Sequence, residues 1–233
     1  MTGLLASVAN LAEARLAATV GADIIDLKNP AAGALGALPV GDVARIAEAL
    51  GAETRVSATI GDLPMTPRVV VPAVEAMAAS GVDYVKIGFF PGGDWAAVLR
   101  ELRPLTAKGI RLVAVLFGDL APDLGWLTEL AGAGFAGAML DTADKSKGSL
   151  CAVAEPGFLH EFVTTARDLT LLSGLAGSLR REDIPQLLGL KPDYLGFRTA
   201  LCGGNRTGHL DVEKLRIIRD SLTAGNAQYP FHP

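Results

Sequence analysis

The feature that most limits what this chain can become is a strict alternation. Short aliphatic, β-branched runs stand at 4–8, 23–28, 55–59, 84–88, 111–116, 137–141, 169–173 and 194–197. Each is followed by a longer stretch with apolar residues at helical spacing. The first of these carries Leu11, Ala14 and Leu16; the others cover 43–50, 70–79, 95–105, 124–133, 158–167, 182–188 and 212–222. Strands alternating with helices build parallel sheet through right-handed crossovers. Eight such units in 233 residues match a closed (β/α)8 barrel, an α/β fold of one domain. An open doubly wound sheet would carry a G-x-G-x-x-G turn after its first strand, where this chain has Val8-Ala9-Asn10-Leu11. The barrel is expected over residues 1–225, with 226–233 as a C-terminal tail that is a loose end or packs on a neighbour. Glycines in Gly-Ala-Asp (21–23), Gly-Val-Asp (81–83) and Gly-Ala-Gly (132–134) suit left-handed helix ends at the bottom of such a barrel.

Charge and composition remove several classes of partner. With 21 Lys and Arg against 25 Asp and Glu, the net charge is −4 and no basic face is laid out, so no nucleic acid is expected. Mean hydropathy is high at +0.35, yet no apolar run approaches the roughly 18 residues of a membrane span, so no membrane partner is expected. Met1-Thr2-Gly3 lacks the basic start of a secretory signal. Cys151 and Cys202 form neither a disulfide framework nor a metal spacing. A cytoplasmic homo-oligomer with reduced thiols is the expectation. His160, His209 and His232 are scattered and make no metal triad. Neither a metal nor an organic cofactor is expected.

In a barrel the chemistry sits at the C-terminal ends of the strands. Side chains alternate along a strand, so if Leu27 faces the helices, Asp26 and Lys28 turn into the barrel. By the same rule Val85 and Ile87 face outward and Lys86 inward. The sixth strand ends at Asp141, with Lys145 just beyond it. Ion-paired lysines near the rim are one reading. The other is chemical: ammonium groups crowded in a partly dry mouth disfavour their own charge, which frees an amine nucleophile for carbonyl chemistry. The loops after strands 7 and 8 are rich in glycine and are the usual phosphate site of this fold. Gly174, Gly177, Ser178, Gly203 and Gly204 are the candidates there, with Arg198 or Arg206 as a charged clamp. Asp62 could line the mouth or cap the next helix, and Phe89-Phe90 suits loop packing or a pocket wall. The expected ligand is a phosphorylated carbonyl compound.

Six stretches carry a resemblance: ADIIDLKNPAAGALGA (22–37), VSATIGD (56–62), DYVKIG (83–88), MLDTADK (139–145), LAGSL (175–179) and GFRTALCGGNRTG (196–208). In this order the chain resembles the (5-formylfuran-3-yl)methyl phosphate synthase family over nearly its whole length. The resemblance implies a class I aldolase-like lyase that joins two molecules of glyceraldehyde 3-phosphate into (5-formylfuran-3-yl)methyl phosphate, releasing phosphate and water. That product feeds methanofuran or methylofuran in one-carbon metabolism. The resemblance further implies Lys28 as the Schiff-base lysine, Lys86 as proton acceptor, and Asp26, Asp141 and Lys145 as further active-site positions. Residues 117–127 are the least family-like stretch, and no role carries over to Asp119. Two other readings remain at this stage. One is a sugar-phosphate isomerase or epimerase using lysine charge without an imine; the other is a non-catalytic phosphometabolite-binding protein.

Overall fold

The structure, a computed structural model, describes residues 1–228. Eight parallel strands close in sequence order into a barrel, β8 returning to pair with β1. The strands are β1 (Gly3–Val8), β2 (Ile24–Leu27), β3 (Val56–Thr59), β4 (Tyr84–Gly88), β5 (Leu112–Phe117), β6 (Gly137–Asp141), β7 (Leu172–Leu175) and β8 (Tyr194–Phe197). Around them lie α1 (Leu11–Val20), α2 (Val40–Leu50), α3 (Pro67–Ala78), α4 (Trp95–Ala107), α5 (Trp126–Gly132), α6 (Leu150–Val153), α7 (Pro156–Asp168), α8 (Ile184–Leu188) and α9 (Val212–Gln228). The expected single-domain barrel is therefore the observed one. The short α6 is an extra turn in the connection from β6 to α7. No helix of the described residues is long and apolar enough to cross a membrane.

Two boundaries differ from the sequence reading. The run Leu169-Thr170-Leu171 looks like strand but finishes α7: Leu169 is the helix cap and Thr170 turns the chain at φ 60°. β7 therefore starts at Leu172, three residues later than expected. At the other end α9 continues to Gln228, and Asn226 both accepts from the Thr2 amide at 3.0 Å and donates to the Thr2 carbonyl at 2.9 Å. The start of the expected tail is thus helix tied to β1; residues 229–233, His232 among them, lie outside the described residues.

Alternation sorts the side chains into two cores. Leu27, Val85 and Ile87 belong to the large layer between strands and helices, whereas Leu5, Val115, Phe117, Met139 and Tyr194 fill the barrel interior. The Gly-x-Asp turns at the bottom do more than end helices. Gly21 and Gly81 take left-handed φ of 87° and 84°, and the aspartate two residues on accepts an amide from the neighbouring strand. Asp23 accepts from Leu4 at 2.7 Å and Asp83 from Val56 at 2.8 Å. Asp193, after Lys191-Pro192, does the same for Ser173 at 2.7 Å. Three strand pairs are pinned in register at the bottom, which fixes what their upper ends present.

Candidate active site

Parallel register puts Ser7, Asp26 and Ser57 side by side on β1, β2 and β3, all facing inward. Both hydroxyls donate to the Asp26 carboxylate, Ser7 to Oδ2 at 3.0 Å and Ser57 to Oδ1 at 2.7 Å. The Lys86 ammonium donates to Oδ1 at 2.9 Å from β4. Asp26 is wholly buried and Lys86 is 2% exposed. Burial works to neutralise Asp26, but the Lys86 and Lys28 ammoniums and the Ser57 hydroxyl outweigh it and hold its pKa below the usual carboxylate range.

Lys28 stands just past β2, above this pair. Its Nζ lies 4.0 Å from Asp141 Oδ2 and makes no hydrogen bond. Every fully buried side-chain polar atom among the described residues has a hydrogen-bond partner, so the unbonded Lys28 Nζ must open to the mouth. Desolvation lowers the Lys28 pKa to about 8, helped by the Lys145 and Lys86 charges and opposed by Asp141 and Asp26. Asp141 ends β6. Burial again favours its neutral form, but Lys145, Lys28 and the Thr142 amide, which donates at 2.7 Å, hold it down at about 2. Lys145, on the 3-10 turn Lys145–Lys147, folds back to donate to Asp141 and to the Thr142 carbonyl. Three lysines and two aspartates from β2, β4 and β6 thus meet as the sequence predicts. Of the three amines, only that of Lys28 has no hydrogen bond.

The predicted phosphate residues divide. Gly177 (φ 105°) and Ser178 (φ 49°) line the mouth, a cleft of about 420 Å³ including its open lip. Gly204 lines an adjoining groove with Lys145 and Arg206. Gly174 does not belong with them. Because β7 starts late, Gly174 falls inside the strand, where an added Cβ would sit 2.3 Å from the Tyr194 ring. It is a packing glycine. Gly203 is exposed and gives its amide to the His209 carbonyl at 3.1 Å. Arg198 is buried and already committed: it pairs with Glu13 of α1 and donates to the carbonyls of Ser7, Arg206 and Gly208. These bonds brace the loop after β8 rather than free a charge for a ligand. Both arginines line the mouth, but Arg206 carries no carboxylate partner among the described residues and reaches over to donate to the Gly33 carbonyl at 3.0 Å.

Asp62 neither lines the mouth nor caps α3. It accepts the amides of Ala34 and Leu35 at 2.8 and 2.7 Å, closing the loop after β2. Phe89 packs edge-on against Trp95, and Phe90 lies 4.5 Å from Phe117, so both are packing residues. Among the described residues no group of His, Cys, Asp or Glu could hold a metal. Ser7, Ser57 and Glu13 escaped the sequence reading. The two serines could have been found by aligning the strands on Asp26. Glu13 carried only a helix-start pattern, Asn-x-x-Glu from Asn10.

This constellation of inward lysines and aspartates on a closed barrel can be compared with known proteins. The sequence model of a family described as 4-HFC-P synthase matches residues 4–219. The chain belongs to that family. A putative (5-formylfuran-3-yl)methyl phosphate synthase of Methylorubrum extorquens is 43% identical, the match covering 95% of this chain and 92% of that one. The (5-formylfuran-3-yl)methyl phosphate synthase of Methanocaldococcus jannaschii is 35% identical over 93% and 98% of the two chains. Membership of the 4-HFC-P synthase family makes this chain an enzyme and agrees with the resemblance read from its six stretches. Solved structures add the fold alone. Phosphoribosylanthranilate isomerase of Thermotoga maritima superposes with a TM-score of 0.65 at 14% identity, covering 96% of this chain and all of that one. Thiamine phosphate pyrophosphorylase of Pyrococcus furiosus gives 0.65 at 12% identity, covering 96% of each chain.

Proposed function

We propose that this protein condenses two molecules of glyceraldehyde 3-phosphate into (5-formylfuran-3-yl)methyl phosphate through a Schiff base on Lys28, supplying the furan of a methanofuran-type cofactor. The observation that carries the reading is the Lys28 amine, unbonded, open to the mouth and held near pKa 8. An amine with that pKa is a nucleophile at neutral pH, whereas a lysine paired like Lys86 is not free to attack. The synthase names of the relatives support the choice of product.

The neutral Lys28 amine adds to a triose carbonyl, and loss of water leaves an iminium that withdraws electrons from the adjacent carbon. With the ammonium proton of Lys86 passed to the Asp26 carboxylate, the neutral Lys86 amine takes a proton from that carbon, and the pair returns it later as one unit. The resulting enamine carbon attacks the carbonyl of the second triose. Elimination of phosphate, release from Lys28, ring closure and loss of water complete an aromatic furan, which makes the sequence hard to reverse. Asp141 and Lys145 keep charge balanced around Lys28 as the iminium forms and decays. Gly177, Ser178, Gly204 and Arg206 take the phosphate group.

The test is incubation with glyceraldehyde 3-phosphate alone, with and without borohydride. The expected results are an ultraviolet-absorbing aldehyde product and a reduced triose adduct on Lys28 by mass spectrometry. Active enzyme with no adduct ends the Schiff-base mechanism; formation of an isomeric triose only would turn the assignment to an isomerase.

A further inference from the structure

Asp119 has no part in the chemistry above, and the family resemblance gives it none. It sits on the 3-10 turn Gly118–Leu120 directly after β5. Its side chain is only 1% exposed, yet it does not point into the mouth. Its two oxygens accept two consecutive amides of the next loop, Ala143 at 2.7 Å and Asp144 at 3.0 Å. Those amides lie between Asp141 and Lys145. The turn holding Asp119 is itself wedged. Gly118 packs so closely on α6 that an added Cβ would lie 2.5 Å from Leu150 Cδ1, and Ala121 closes the turn at a left-handed φ of 44°. Such a conformation is costly for a residue with a side chain and persists only where its surroundings hold it.

We infer that Asp119 is a positioning residue: by clamping the backbone between Asp141 and Lys145 from the neighbouring strand, it sets the Lys145 ammonium on Asp141 and so beside Lys28. The inference rests on the proposed role of Lys28 for its catalytic meaning, but not for its geometry. Lys145 must reverse direction within four residues to meet both Asp141 and the Thr142 carbonyl. Asp144 caps the turn locally by accepting the Ser146 amide at 2.9 Å, and Asp119, a charged acceptor gripping two amides, ties that turn to the end of β5. The consequence falls on Lys28. The groups that bear on it are Asp26 of its own strand, Lys86 of β4, Asp141 and Lys145 from β6 and its loop, and Arg198 and Arg206 from the loop after β8. Of these, only Lys145 depends on the Asp119 clamp. If Lys145 swings out, one cation leaves the mouth while Asp141 stays, and Lys28 holds its proton more tightly.

The experiment labels the Lys28 amine with acetic anhydride across pH, without substrate, in the parent protein, Asp119→Asn, Lys145→Gln and the double variant. Asparagine keeps the shape but can accept only one of the two amides. Asp119→Asn is expected to move the Lys28 midpoint upward by about one unit, the low end of the effect of one nearby charge. Lys145→Gln should move it as far, and the double variant no further. Lys147→Ala, which removes only an exposed cation 3.9 Å from Asp119, should leave it in place. An unshifted midpoint in Asp119→Asn, or additive shifts in the double variant, overturns the inference. Should Asp119→Asn fail to fold, hydrogen exchange on the parent decides: the Ala143 and Asp144 amides are expected to be as protected as strand amides, and fast exchange refutes the clamp. The labelling needs no turnover. Variants that shift the midpoint as expected, beside a parent that forms no borohydride adduct, would sink the Schiff base and leave the clamp standing.

Discussion

The state of Lys28 can be read by changing pH alone. With its pKa near 8, about one tenth of the Lys28 amine is neutral at pH 7, where an ordinary lysine at 10.5 would offer roughly one part in three thousand. The fold therefore supplies about a 300-fold gain in nucleophile. The rate at which borohydride traps a triose on Lys28 is expected to rise about tenfold from pH 6 to 7 and to level off above about 8. The same shift shows in stability. Between pH 8 and 10.5 the unfolded chain keeps a proton on Lys28 that the folded protein has lost, so stability rises with pH across that window. The burial penalty is fully present below pH 8 and amounts to about 3 kcal/mol in the limit. Denaturant unfolding of the parent and of Lys28→Met, subtracted at each pH, isolates this contribution from other groups. A trapping rate that keeps climbing to pH 10, or a difference curve flat from 8 to 10.5, would show that Lys28 is an ordinary lysine and that burial does not activate it.

Lys86→Arg keeps the charge beside Asp26 but cannot give up its proton; it should still form the Lys28 adduct while product formation falls roughly 100-fold, the scale of a lost general base, and near-normal turnover would move that role to Asp26 or Asp141. Glu13→Ala leaves the Arg198 guanidinium buried without its carboxylate and should cost about 3–5 kcal/mol in denaturant unfolding, whereas a loss under 1 kcal/mol would mean that the loop after β8 does not depend on this pair. Arg206→Ala should raise KM for the phosphorylated triose about 10- to 100-fold, the scale of a hydrogen bond to a charged group, with kcat much less affected; an unchanged KM takes Arg206 out of the phosphate site.

The barrel was legible because its cause is local. Eight alternations of period 2 and period 3.6 leave little choice of topology, and period 2 also turned Asp26, Lys28 and Lys86 inward correctly. What escaped depends on contacts that sequence spacing does not encode. Arg198 looks as able as Arg206 to hold a phosphate until Glu13, 185 residues away, is seen to occupy it. Leu169-Thr170-Leu171 has the composition of a strand, and only the left-handed turn at Thr170 makes it the end of a helix. That three-residue error carried Gly174 from the barrel wall into an imagined loop. Ser7 and Ser57 become visible only when strands are laid in register, since each alone is an unremarked small polar residue.

The pairing of Arg198 with Glu13 also shapes how the molecule meets its substrate. With that arginine neutralised, the mouth sets Lys28, Lys86, Lys145 and Arg206 against Asp26 and Asp141. The rest of the chain must then carry a larger negative excess than its total of −4 suggests. Charge is therefore divided unevenly, with cations in excess at the mouth and a net negative remainder, and such a mouth favours an anion. On the proposed function, a dianionic triose is drawn toward that mouth before contact. Added salt therefore slows capture, whereas an uncharged aldehyde would arrive at the same rate in any buffer.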